Sequence, residues 1–181
     1  MINSWRDLPP GKHPPDQVTA LIEIPRGSRN KYELDKESGL MRLDRVLYSA
    51  VHYPGDYGFI PRTLAEDNDP CDILVLVNEP TFPGCQIDAR PIGVLRMLDR
   101  GDPDDKILAV PSNDPFYHEY FDIADIPQHY LKEVEHFFAI YKDLEGRRVQ
   151  TVGWEKSEVA MSLILESIER YDSTYLRRQG P

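Results

Sequence analysis

The sequence predicts a mainly β domain with flanking helices, an α+β fold in which two main helices pack on a small barrel. Three observations carry that prediction: short β-type runs separated by turn signals, intervals between them too brief for crossover helices, and two later segments whose apolar residues recur every three or four positions. The β-type runs are Thr19 to Ile24, Asn30 to Asp35, Met41 to Val46, Ile73 to Val77, Ile87 to Leu98 and Lys106 to Val110. Sixteen prolines spread along the chain punctuate elements of this size.

Ahead of the first run, Leu8-Pro9-Pro10-Gly11-Lys12-His13-Pro14-Pro15 reads as extended, so residues 1–17 are expected to form an arm. The first helix is expected to begin at Asp125 and Gln128, a capping-box-like pair with Pro127 in the first turn, and to face the barrel with Tyr130, Val134, Phe137, Tyr141 and Leu144. The second is expected from about Glu155 to Leu176, burying Ala160, Ile164, Ile168, Tyr171 and Tyr175. Residues 177–181 are expected to fray. With 181 residues and no break in composition, a single domain over 1–181 is expected.

Composition narrows the function. A formal net charge of −10 disfavours a nucleic-acid binder, which gains affinity by displacing counterions from phosphates. An oligonucleotide-binding barrel would meet this objection directly, since a groove ringed by carboxylates repels a bare strand. No apolar run approaches the roughly 20 residues of a membrane helix, and the N-terminus lacks a basic region followed by an apolar stretch, so a cytoplasmic protein is expected. Cys71 and Cys85 lack metal-ligand spacing and read as buried small apolar residues. The five histidines show no ligand spacing, and neither a P-loop nor a nucleophile elbow is present.

A negative protein can still bind a small anion when divalent cations accompany it, provided carboxylates cluster. They do so in Glu66-Asp67-Asn68-Asp69-Pro70-Cys71-Asp72, which runs directly into the apolar strand Ile73 to Val77. Three aspartates at the mouth of a buried strand repel one another, and the local sequence supplies no basic partner. A hard cation relieves that repulsion, and magnesium prefers such oxygens while retaining waters that leave room for a substrate. A solvated acidic turn would look the same in isolation. Asp99-Arg100-Gly101-Asp102-Pro103-Asp104-Asp105-Lys106, a second acidic segment preceding a second apolar strand, favours the metal. An EF-hand fails, because Cys71, Asp72 and Asn78 fall where its loop requires an oxygen ligand, glycine and glutamate. Strand alternation sets Lys31, Glu33 and Asp35 on one face, and taken alone Lys31 with Glu33 reads as an exposed ion pair.

The chain closely resembles the family I soluble inorganic pyrophosphatases, over nearly its whole length. Asp67-Asn68-Asp69-Pro70-Cys71-Asp72-Ile73 carries the resemblance most strongly. It is joined in order by Trp5 to Gly11, Ile22-Glu23-Ile24-Pro25, Lys31-Tyr32-Glu33 with Asp35 to Gly39, Asp44-Arg45, Tyr53-Pro54 with Tyr57-Gly58, Arg90 to Val94, and His136-Phe137-Phe138 with Tyr141 to Glu145. Asn68 stands where many members have glycine, and Cys71 where an aliphatic residue is usual.

The resemblance implies a five-stranded, OB-like closed barrel, a homo-oligomer that is hexameric in the bacterial type, and hydrolysis of pyrophosphate with several Mg2+ ions per subunit, other divalent cations being able to serve. It implies Asp67, Asp72 and Asp104 as ligands of the tightest ion, Asp72 also facing a second, Asp99 with Asp104 holding a third, and Glu33 reaching a fourth through water. Asp69 is implied as the general base toward an attacking water. Lys31, Arg45, Tyr57, Lys106, Tyr141 and Lys142 are implied as the phosphate clamp, with Glu23 and Tyr53 at the site's edge.

Overall fold

The computed structural model describes residues 3–176. The frayed end expected at 177–181 lies outside the described residues. Nine strands are assigned among them: β1 (Val18–Ile24), β2 (Asn30–Leu34), β3 (Met41–Val46), β4 (Asp56–Phe59), β5 (Asp72–Val75), β6 (Gln86–Asp99), β7 (Asp102–Pro103), β8 (Lys106–Pro111) and β9 (Val149–Lys156). The helices are α1 (Ser4–Asp7), α2 (Gln128–Ile140) and α3 (Ser157–Tyr171).

The main sheet runs β1-β4-β5-β8-β6, and β6 returns to pair with β1, so five strands close on themselves. This is the OB-like closed barrel the sequence leads one to expect. The ring is antiparallel except for β5 and β8, which lie parallel with Ile73 opposite Ile107. β9 extends the sheet along the far end of β6, and β2 with β3 forms a separate hairpin beside the barrel.

Beyond their charged first residues, strands β5 and β8 are apolar because both faces are covered. Ile73, Val75, Ile107 and Ala109 join Val18, Ala20 and Ile22 in a cluster that also contains Ala160 and Ile164 of α3. Leu74, Leu108 and Val110 belong to a second cluster, built around Leu131, Val134, Phe137 and Phe138 of α2.

Several expectations need correction. The arm is not extended throughout: Asn3 accepts hydrogen bonds from the Trp5 and Arg6 amides and starts α1, whose Trp5 is buried. Strand β4 was hidden because its four buried residues follow Pro54-Gly55 and show no alternation. Strand β9 takes Glu155 and Lys156 away from the second helix, which starts at Ser157 and continues to Leu176 as a wider π-helical turn. The capping box belongs to Asp122 and Asp125 in the 3-10 turn before α2, while Pro127 caps α2 without a side-chain bond. Asp122 also accepts from the Ser157 amide and hydroxyl, at 3.0 and 2.9 Å, tying that turn to the start of α3. On α2, Tyr130 lies partly in solvent, and Leu144 beyond the helix is exposed; Leu131 and Phe138 are buried in their stead. Cys71 is buried, but Cys85 only partly so, and both are free thiols. No helix of the described residues is long and apolar enough to cross a membrane.

Closure of the ring depends on Gly58, paired with Ile22 on one side and Ile73 on the other. A Cβ there would fall 1.9 Å from the Leu21 carbonyl oxygen, which is backbone and cannot step aside. Gly58→Ala is therefore expected to destabilise the fold by roughly 3 kcal/mol or more, at the upper end of overpacking costs. Urea denaturation of the variant beside the wild type measures it, and a loss under about 0.5 kcal/mol, typical of a neutral surface change, would contradict the close approach.

Candidate active site

The parallel pairing of β5 with β8 sets the chemistry at one mouth of the barrel. Because both strands start at the same end, Asp72 at the head of β5 comes beside Lys106 at the head of β8. β6 runs antiparallel to β8, so its last residue, Asp99, and the following turn with Asp104 arrive at the same place. α2 packs Phe137 and Phe138 against Tyr53 and Tyr57, with ring centroids 4.8 and 6.0 Å apart for Tyr53–Phe137 and Tyr57–Phe138. That contact carries Tyr141 and Lys142, just past the helix end, to the rim.

Two β-bulges aim further side chains inward. The register of β1 slips between Ile22 and Ile24, at Glu23. In the hairpin, Lys31 pairs with Arg45 and Tyr32 with Leu43, which leaves Asp44 as the extra residue. Asp44 bonds Arg45 and lies 3.4 Å from Lys31, buffering two cations held directly opposite each other.

The acidic loop is tied down from both sides. The Ile60 amide donates to the Cys71 carbonyl, the Cys71 amide to Thr63 Oγ1 at 2.9 Å, and the Ala65 amide to the Asp69 carbonyl at 2.7 Å. Inside it, Asp67 Oδ1 accepts from the Asp69 amide at 2.9 Å. Asn68 sits at φ 67°, the left-handed region that glycine enters freely and asparagine tolerates. That conformation accounts for asparagine in a position where the resembling family often has glycine.

These elements enclose one cavity of about 680 Å³. Its wall includes Asp67, Asp69, Asp72, Asp99, Asp104, Glu33 and Glu23, together with Lys31, Arg45, Tyr57, Lys106, Tyr141 and Lys142. Tyr53 is the exception: it is fully buried behind Tyr57 and does not reach the wall. The wall also holds Trp5, Lys36, Arg100 and Arg147, to which the sequence pattern assigned no role.

The basic partners that the local sequence lacks come from elsewhere in the fold. Lys106, only 3% exposed, bonds both Asp72 and Asp104. Lys142 bonds Asp99 at 2.7 Å, and Lys36 bonds Asp69 at 2.5 Å. Arg45 is held by Glu145 at 2.9 Å as well as by Asp44, and Lys31 by Glu33.

Burial and charge act in opposition on these groups. Burial raises Asp104, its neighbour Asp72 adds to this, and Lys106 offsets only part. Asp67 is likewise raised, first by burial and then by Asp69 and Asp72. For Asp99 burial pushes upward, but the Lys142 ammonium, with Arg100 and Arg147, outweighs it and holds the carboxyl below the usual range. Burial alone would lower Lys106; Asp72 and Asp104 together raise it, so it stays charged. Burial lifts the Tyr57 and Tyr141 phenols well above their ordinary value, with Asp72 and Asp104 contributing, so both remain neutral hydroxyl donors. The Cys71 thiol, pushed up to about 12 by burial, is inert.

The donor set suits a hard divalent cation, being carboxylate oxygen without thiol or imidazole. Asp99 Oδ1 is buried with no hydrogen-bond partner among the described residues, which leaves an acceptor for such an ion. Among the described residues no group of three His, Cys, Asp or Glu side chains is arranged to hold a metal as it stands, since Lys106 lies between Asp72 and Asp104.

Comparison with known proteins decides the family. The family model for inorganic pyrophosphatase matches residues 20–172. The chain belongs to the inorganic pyrophosphatase family. Within that family it is 49% identical to the inorganic pyrophosphatase of Haloferax volcanii over 97% of this chain and 99% of that one. It is 56% identical to that of Geobacillus stearothermophilus over 86% and 94% of the two chains. The crystal structure of the family member from Thermus thermophilus superposes with a TM-score of 0.91 at 43% identity, over 94% of this chain and 99% of that one.

Glu23 carries a pH signature. Its carboxyl is enclosed at the bulge although part of the side chain meets the cavity, and burial, helped by Asp72, raises it to about 8 despite the Leu34 amide it accepts at 2.7 Å. The unfolded chain releases this proton near 4.5, its unperturbed value, whereas the folded chain keeps it to about 8. Between those values the unfolded state binds fewer protons, so stability from this group falls as pH rises. In chelator-treated protein the wild type should lose stability relative to Glu23→Gln across that window and run parallel to it below. Paired urea titrations at several pH values check this, and a difference independent of pH would refute it.

Proposed function

We propose that this chain hydrolyses inorganic pyrophosphate to two phosphates in a site containing several Mg2+ ions. The observation that carries the reading is the convergence, in one cavity, of Asp67, Asp69, Asp72, Asp99 and Asp104 with Lys31, Arg45, Lys106 and Lys142. Acidic oxygens alone would repel a phosphate anhydride, and cations alone would bind it without activating water. A wall with both suits a polyanion that arrives with divalent metal.

Asp67, Asp72, Asp99 and Asp104 are the residues that would hold the ions, with Glu33 reaching one through water. When bound, Mg2+ would neutralise phosphoryl charge and lower the pKa of water in the site. Asp69 is the general base: it takes a proton from the water whose oxygen bonds to one phosphorus as the bridging P–O bond breaks. Arg45, Lys31 and Lys142 offer cationic donors to the phosphoryl oxygens, and Tyr57 and Tyr141, kept neutral by burial, offer hydroxyls. Lys106, which bonds Asp72 and Asp104, would be a further cationic donor toward the phosphoryl oxygens. Because phosphoryl transfer leaves little covalent work to the protein, position and charge supply most of the stabilisation.

A homo-oligomer, hexameric by family resemblance, belongs to the same proposal; Leu43, Val46 and Leu165 leave exposed apolar surface on β3 and α3 for such contacts. So does a cytoplasmic location.

Phosphate release from pyrophosphate as Mg2+ is varied tests the reading; absence of release at every concentration would sink it. Asp69→Asn is expected to lose at least about 10²-fold in kcat, the lower range for a general base, while binding Mg2+ normally. Asp67→Ala is expected to raise the Mg2+ concentration for half-maximal rate by roughly tenfold or more. Near-wild-type behaviour of both variants would remove the residue assignments even if the activity stands.

A further inference from the structure

Asp69 differs from the other carboxylates of the cavity in how it is held. Its side chain is 65% exposed, at the tip of the acidic loop, and among the described residues Lys36 is its sole side-chain partner. Lys36 comes from the β2–β3 turn, far from Asp69 in sequence, and its own position is fixed by the N-terminal arm. Its ammonium lies 4.9 Å from the centroid of the Trp5 ring, and its backbone carbonyl accepts from the Asn3 side-chain amide at 2.8 Å. Trp5 is in turn locked. Its indole N–H donates to the Thr63 carbonyl at 3.0 Å, and its ring meets Tyr171 and Tyr175 edge-on at 5.8 and 5.6 Å. Thr63 is the same residue whose hydroxyl holds the Cys71 amide, at the other end of the acidic loop.

Resting on the hydrolase reading above, we propose that Lys36 is a positioning residue for Asp69, and that Trp5 of the N-terminal arm holds Lys36 in place. An exposed aspartate on a turn samples several rotamers, only some of which direct an oxygen at an attacking water. The Lys36 ammonium selects among them, and the Trp5 face stops the lysine from swinging into solvent. The arm thereby acts on the catalytic group through Lys36, from a ring that also lines the cavity wall.

Steady-state kinetics on pyrophosphate at saturating Mg2+ tests this. Lys36→Met removes the ammonium and keeps most of the stem. It should lower kcat by roughly tenfold to a hundredfold, the scale of a misplaced catalytic group, with KM within about twofold. Lys36→Arg, which can still bond a carboxylate over the same ring, should recover most of the rate. The decisive measurement is the double variant: Lys36→Met with Asp69→Asn should be no slower than Asp69→Asn alone, because the lysine acts only through the aspartate. Trp5→Phe, which retains a ring face, should keep more activity than Trp5→Leu; thermal melts of both confirm that the comparison is between folded proteins. Wild-type kcat in Lys36→Met overturns the inference. So does a loss confined to KM, or one that multiplies in full onto that of Asp69→Asn. An active wild type with any of these results overturns the inference alone; an inactive wild type overturns the hydrolase reading and this inference with it.

Discussion

The structure is organised around electrostatic repulsion among carboxylates brought to one barrel mouth. Two like charges about 4 Å apart cost on the order of 4 kcal/mol at an effective dielectric near 20, so several of them cannot share a wall without compensation. Three lysines from separate parts of the chain provide it: Lys106 from β8, Lys142 from the end of α2, and Lys36 from the hairpin turn. The Lys106–Asp72 contact forms once β5 and β8 have paired, the Lys142–Asp99 contact once α2 has docked, and the Lys36–Asp69 contact once the hairpin has docked. The charged site and the apolar scaffold are therefore one cooperative unit: barrel closure brings the acids together, and the docked elements make their proximity tolerable.

Buried aromatic packing does the placing. Tyr53, Tyr57, Phe137, Phe138 and Tyr141 form a continuous aromatic cluster between β4 and α2, so the helix whose end carries Tyr141 and Lys142 to the cavity wall is fixed by rings behind it. Tyr53, which has no place on the wall, matters through this cluster. The pattern separates the residues facing the cavity from those that determine where they face.

Much of this was legible in the residues. Strands β1, β3, β6 and β8 follow from alternation or from unbroken apolar runs, and the clustering of Asp67, Asp69 and Asp72 ahead of a buried strand pointed to metal chemistry before any fold was known. What escaped did so for physical reasons. β4 is buried on all sides and flanked by turn residues, so periodicity had nothing to register. β9 ends where α3 begins, without an intervening turn to mark the change. Nothing along the chain gives Lys36 a role of its own, because its partner lies on another loop and its ring on another segment. Which cation neutralises which carboxylate is a property of the closed barrel and cannot be seen along the chain.

Strand β6 joins both open edges of the ring, pairing with β1 on one side and β8 on the other, and it also supports β9. As the chain leaves the ribosome, Val18 to Leu21 therefore wait with an apolar, unpaired edge until residues 86–89 are made. Loop closure over that separation is slow, and an uncovered strand edge invites pairing with another nascent chain. For this architecture the interval of greatest exposure to aggregation falls during synthesis, between emergence of the first strand of the barrel and that of its longest.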